Sequence, residues 1–352
     1  MAVNEAKLND LMGKIVCDMG ATLSAALVVI GDRLGLYKAM ASRGPMNSQE
    51  LAAATNTHER YVREWLLNQA AGGYISYDAK NERFHLTEEQ KAAFAEEDSY
   101  VYIPGAFQLM TAVLRDEPKI RKAFQTGEGV DWGDHDPGLF EGTKRFFSPG
   151  YRAHLVSEWL PALDGVVDKL HRGAKVADVG CGLGASTMIM AEAFPKSTFV
   201  GFDFHEPSIE AAKKDAAKAG LGDRVRFETA LADEFPGKDY DFVAFFDCLH
   251  DMGDPRSVAM HVHRTLRTDG AWMIVEPFAG DKVEDNLTPV GRVYSAASTL
   301  ICCPASLAQK GRTALGAQAG EMRLREVITG GGFSRFRRAT QTPFNLVFEA
   351  RP

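Results

Sequence analysis

The stretch that most constrains this chain is Val176-Ala-Asp-Val-Gly-Cys-Gly-Leu-Gly-Ala185. A short apolar run from Lys175 stops at Val179, glycines follow at 180, 182 and 184, and a helical pattern starts near Ala185. Glycines at that spacing remove side chains where the backbone turns sharply and comes close to a ligand. A strand, a glycine turn and a helix form the opening unit of an open α/β sheet, which binds ligands at the carboxyl ends of its strands. Further apolar runs follow at Thr198–Asp203, 224–228, Tyr240–Phe246, 271–276 and, in a terminal hairpin, 344–350. Helical patterns over 186–193, 206–219 and 255–266 lie between them. Strands alternating with helices predict a parallel sheet covered on both faces.

Residues 1 to about 97 have another character. Met19–Gly31 is apolar nearly all round, which predicts a helix buried against several partners. It is shorter than the roughly 20 residues a bilayer span needs, so no membrane span is expected. Asn47 or Ser48 is placed to cap a helix through Glu50, and Thr57 to cap 59–71, which ends at Gly72-Gly73. Tyr74–Tyr77 and Arg83–Leu86, joined across Asp78–Asn81, read as a small hairpin. Helices followed by a hairpin are the order of a winged helix. Residues 98–171 read as an irregular helical linker, with a Gly- and Asp-rich loop at 127–142 carrying Trp132 and His135.

Composition excludes some functions. With 45% apolar and 25% charged residues the chain is an ordinary globular one, not a disordered one. Its length fits about two domains at roughly 150 residues each. The net charge of −7 argues against a general affinity for nucleic acid. The segment 45–68, where a recognition helix would lie, has two arginines against three glutamates. Five cysteines in no metal or disulfide spacing, and no secretory signal, point to a reducing, cytoplasmic setting and to no metal.

Two ligands compete for the glycine turn. Gly180, Gly182 and Ala185 satisfy the dinucleotide pattern G-x-G-x-x-G/A. Against it, Gly184 makes the run G-x-G-x-G, and Asp178, two residues before the first glycine, repels a pyrophosphate. A carboxylate there suits a ligand carrying an ammonium or a sulfonium. Asp203, at the end of the second run, is placed for a ribose under either reading.

The segment resembles motif I of class I S-adenosylmethionine-dependent methyltransferases, and the chain order resembles that of the small-molecule O-methyltransferases. The resemblance implies an α/β, Rossmann-like seven-stranded methyltransferase sheet over 172–352, with a lid insertion at 281–320. It implies a mainly helical winged-helix dimerisation domain over 1–97 and a substrate-covering linker over 98–171. S-adenosylmethionine would meet Asp178, Gly180, Gly182, Asp203, Phe204 or Phe235, Asp233, Phe246 and Asp247. The segment Leu249-His250-Asp251-Met252 resembles the family's His-Asp-Trp segment, with Met252 in place of the aromatic residue. There His250 would take a hydroxyl proton and Glu276 would orient it, while Asp251 reads as a helix cap. Trp132, Phe147 and Tyr151 are candidate walls for a small, apolar or aromatic acceptor. The open alternatives are C- or N-methylation with His250 only positioning substrate, and a donor-binding regulator without turnover. The partners implied are a small-molecule acceptor and a second copy of the chain, with neither nucleic acid nor membrane.

Overall fold

The computed structural model describes residues 3–352 and divides the chain into two compact units, each described by itself. Residues 1–112 and 141–149 form the first, and 113–140 with 150–352 the second. The 98–171 segment is thus shared between them.

In the first unit, helices Leu36–Arg43, Ser48–Thr55 and Glu59–Ala71 surround a core of Leu36, Tyr37, Met40, Leu51, Trp65 and Leu66. Asn47 caps Ser48–Thr55 in a full capping box with Glu50. The next cap is His58 and not the expected Thr57: His58 Nδ1 accepts from the Arg60 amide at 3.3 Å. The wing strands are β1 (Ser76–Asp78) and β2 (Arg83–His85), and a bridge from Met46 to Phe84 pins them to the helices.

The apolar N-terminal helix differs from expectation. It runs over Glu5–Arg33 and is long and apolar enough to cross a membrane. Only one stripe is buried, with Ser24, Ala25, Val28, Val29 and Gly31 on it. At Gly31 an added Cβ would lie 2.5 Å from the Trp65 ring, so the helices touch closely there. Leu11, Val16, Met19 and Leu23 are 52–73% exposed. The sequence registers how apolar a helix is, but not whether its cover lies in the same chain.

The second unit is built on β3 (Lys175–Val179), β4 (Thr198–Asp203), β5 (Val225–Thr229), β6 (Tyr240–Phe246), β7 (Leu266–Pro277), β8 (Arg335–Gln341) and β9 (Asn345–Arg351). Their order is β5-β4-β3-β6-β7-β9-β8. The first five are parallel, and β9 and β8 close the sheet as the antiparallel hairpin. Strand β6 is buried along nearly its whole length, as a strand covered on both faces must be. Strand order reverses at β3: β4 pairs on one side, β6 on the other. Register puts Val179 beside both Phe202 and Phe245. The turns after β3, β4 and β6 therefore open at one edge, at the topological switch point.

The 281–320 segment folds as Pro289–Ala297, a π-helical turn Ser298–Cys302 and Cys303–Ala308. A further helix, Gly320–Gly330, precedes β8.

Candidate active site

The glycine turn is held from below. The amides of Gly180 and Cys181 both donate to the Phe202 carbonyl, at 2.8 and 3.0 Å. Gly180 has φ 73°, and a Cβ there would sit 2.6 Å from Cys248 Sγ, so geometry and space both require glycine. Gly182 has φ 51°, and a Cβ there would meet nothing within 4 Å. Its peptide borders open space, as a ligand-facing peptide must.

Asp203 ends β4 and accepts from Gly182 N at 2.8 Å on Oδ2 and from His205 N at 2.9 Å on Oδ1. Burial pushes its carboxyl up, and these backbone donors pull it back. Asp178 lies beneath the turn with no exposure. Its Oδ2 takes the hydroxyls of Ser186 (2.7 Å) and Thr187 (2.5 Å). Its Oδ1 is buried and unpartnered. Burial pushes this carboxyl up to about 6, against both hydroxyls. Ser186 and Thr187 went unrecognised in sequence, although hydroxyl residues in the first turn after a glycine loop are a usable signal.

Asp247 follows β6 with φ 50°. It receives Asn345 Nδ2 at 2.8 Å and the Tyr151 hydroxyl at 3.3 Å. Desolvation, then the charge of Glu276, raise its carboxyl to about 8. A folded-state value above the unfolded one means the neutral acid stabilises the fold. That contribution is present below pH about 4 and lost as pH rises through about 8. Asp247→Asn is therefore expected to flatten the decline. Urea unfolding at pH 9 should show it about 1–3 kcal/mol more stable than the parent, a shift discounted for partial exposure, with little difference at pH 4. Equal pH slopes for both proteins would refute the assignment.

His250 is 3% exposed and Glu276 2%. His250 Nδ1 lies 2.5 Å from Glu276 Oε2, while Oε1 accepts from Leu249 N at 3.1 Å. His250 Nε2 lies 3.1 Å from Asp251 Oδ1. Burial lowers the imidazole's proton affinity, but Asp251 and Glu276 outweigh it and hold the ring as a cation. Asp251 is thus not the helix cap: Asp254 caps Pro255–Thr265, accepting from Ser257 N at 2.9 Å. Cys302, on the π-helical turn, completes a group with His250 and Asp251 whose ligand-type atoms lie within 4.8 Å of one another. No metal was expected, and an ion would have to displace protons from the imidazolium and the thiol to bind there.

The remaining expectations divide. Phe246 is buried and its ring packs 5.1 Å from Tyr151. Phe204 is 39% exposed beside Asp203, whereas Phe235 is a core residue, 5.2 Å from Phe202, and offers no face to a ligand. Asp233 lies half-buried in the turn after β5. Trp132 opens a 3-10 turn, Trp132–Asp134, and the loop expected over 127–142 ends at Gly138, where a helix to His154 begins. Phe147 falls in the first unit, its ring 4.8 Å from Phe146. The structure thus brings together Asp178, Gly180, Gly182, Asp203, Asp247, Tyr151, His250 and Glu276 in the second unit. Asn345, which places Asp247, was missed because its partner is 98 residues away.

Residues 170–318 match the family model of a methyltransferase domain, and 21–96 that of an Rv2258c-like winged helix-turn-helix domain. The chain carries a methyltransferase domain. It is 27% identical over 203 residues to a methyltransferase of Aspergillus campestris, covering 52% of this chain and 54% of that one. It is 37% identical over 103 residues to the 27-O-demethylrifamycin SV methyltransferase of Amycolatopsis mediterranei, covering 29% and 38%. The chain thus spans about half or less of the length of these curated relatives. In fold the likeness runs end to end: human N-acetylserotonin methyltransferase, solved with S-adenosylmethionine, aligns over 100% of this chain and 99% of that one at a TM-score of 0.69 and 16% identity.

The methyltransferase domain has a donor set that fits S-adenosylmethionine. An unpartnered carboxylate oxygen on Asp178 offers itself to a cation, open space borders Gly182, and a backbone-fixed carboxylate ends β4.

Proposed function

We propose that this chain methylates a small, largely apolar molecule at oxygen, using S-adenosylmethionine. The observation that carries the reading is Asp178 beneath the turn, its Oδ1 unpartnered, with Asp203 fixed by the Gly182 and His205 amides beside the open face. A carboxylate oriented this way suits two vicinal hydroxyls, and Asp178 below the turn suits positive charge. The likeness to the 27-O-demethylrifamycin SV methyltransferase, whose name places its methyl group on oxygen, supports the choice of oxygen.

The transfer breaks a methyl–sulfur bond, forms a methyl–oxygen bond and releases the acceptor's hydroxyl proton. His250 receives that proton at Nε2. The ring is already a cation, so to act as base it must first give up its Nε2 proton, and the nearest carboxylate oxygen beside it is Asp251 Oδ1 at 3.1 Å. Glu276 keeps Nδ1 protonated throughout and aims the ring. His250→Asn and Asp251→Asn should each slow transfer from labelled donor by about 100-fold or more, with affinity for S-adenosylhomocysteine unchanged. A tenfold or smaller loss in both, with an acceptor found by screening phenols against amines, would instead favour N- or C-methylation. The ion pairing of the imidazolium with both Glu276 and Asp251 favours that second reading, in which His250 only positions the acceptor.

The uncovered stripe of Glu5–Arg33 fits a homodimer interface, since a contiguous apolar face of this kind marks association. Light scattering should give twice the mass of one chain, and Val16→Asp with Leu23→Asp should halve it. A single-chain mass for the parent would contradict the dimer.

A further inference from the structure

Trp132, read from the sequence as a candidate wall for the acceptor, packs with Phe140 of helix Gly138–His154 beside the residues that follow β4. Phe140 lies over His205, with ring centroids 4.5 Å apart at 30°. The position a Cβ would take on Gly133 is 3.7 Å from the same imidazole. Trp132 joins the group at 5.6 Å from Phe140. His205 stands two residues after Asp203, and its own amide fixes the Asp203 carboxylate. The imidazole is held in turn by Ser208, at 2.8 Å from Nδ1.

The loop is fastened on both sides of Trp132. Before it, Val130 N donates to Pro304 O at 3.1 Å, and Gly129 packs so closely that a Cβ would lie 2.0 Å from Ala308 N. After it, the buried His135 ring meets Asp116 at 2.8 Å, and Asp116 also accepts from Asp136 N at 3.0 Å. The span 131–134 is therefore a short bridge between two fixed points, and the Trp132 ring packs against Phe140 and His135. Trp132 and Phe140 are only half-buried.

We propose that Trp132, Phe140 and His205 form an aromatic wall over the nucleoside end of the methyl donor, so that Trp132 is a donor residue and not an acceptor residue. This rests on the donor reading above. Offset aromatic faces of this kind suit a flat base or a ribose edge and exclude water from the hydroxyl–carboxylate contact.

The molecule carries its own probe. Of the four tryptophans, Trp65, Trp159 and Trp272 are at most 3% exposed, which leaves Trp132 as the responsive fluorophore. Titrating the full chain with S-adenosylhomocysteine should change tryptophan emission. 5′-Methylthioadenosine, which keeps the nucleoside, should give the same change, and methionine none. In Trp132→Phe the emission change should vanish while calorimetry still shows binding, with Kd raised a few-fold. Phe140→Leu should raise Kd about tenfold. Binding by the parent with the emission change retained in Trp132→Phe, or with parental Kd in both variants, overturns this wall and leaves the donor reading standing. A change driven by methionine overturns it as well. No binding of S-adenosylhomocysteine by the parent overturns both.

Discussion

Asp203→Ala raises the Kd for S-adenosylhomocysteine by about 100-fold or more, a cost of about 2.7 kcal/mol. Two losses combine. The carboxylate placed for the ribose goes, and the amides of Gly182 and His205 lose their acceptor. Unpaired, those amides no longer hold the turn in its ligand-ready shape. Asp203→Asn separates the two losses, because one oxygen remains for a backbone donor; it should weaken binding by about tenfold. Calorimetry on samples with matched circular dichroism measures both. Parental affinity in the alanine variant would remove Asp203 from the site.

Glu276→Ala is expected to be the most destabilising single change in the second unit, by about 3–5 kcal/mol in chemical denaturation. Glu276 is buried and serves two partners, the His250 imidazolium and the Leu249 amide. Truncating one member of a buried ion pair leaves the other charge in a low-dielectric interior without compensation. Glu276→Gln keeps an oxygen for Leu249 N and should cost about half as much. If the alanine variant unfolds at the parental denaturant midpoint, His250 is not a buried cation held by Glu276.

What was legible in the sequence was mostly local. A glycine run between an apolar strand and a helix has few backbone solutions, so the turn at 180–184 and the strands around it were readable. The fixed period of β-α alternation then dictated a parallel sheet. Legibility failed where partners are distant or absent. Phe235 and Phe204 are equivalent on paper; only packing against Phe202 makes one a core residue. Asp251 and Asp254 both look like caps until Asp254 is seen to accept from Ser257 N. Asn345 reaches Asp247 only because β9 inserts next to β7, a pairing that no local pattern encodes. The surroundings of Trp132 were not legible either, since a loop's sequence does not say which edge of the sheet it crosses. The helix Glu5–Arg33 is the clearest case, because burial of an apolar stripe depends on what else is present.

Whether the turn after β3 accepts a sulfur nucleoside decides the whole reading, and calorimetric titration of the intact chain with S-adenosylhomocysteine and, separately, with NAD asks it directly. One equivalent of S-adenosylhomocysteine per chain, displaced by S-adenosylmethionine and indifferent to NAD, is the expected result. Saturable binding of NAD with no heat from S-adenosylhomocysteine, in a sample that is folded, would contradict it.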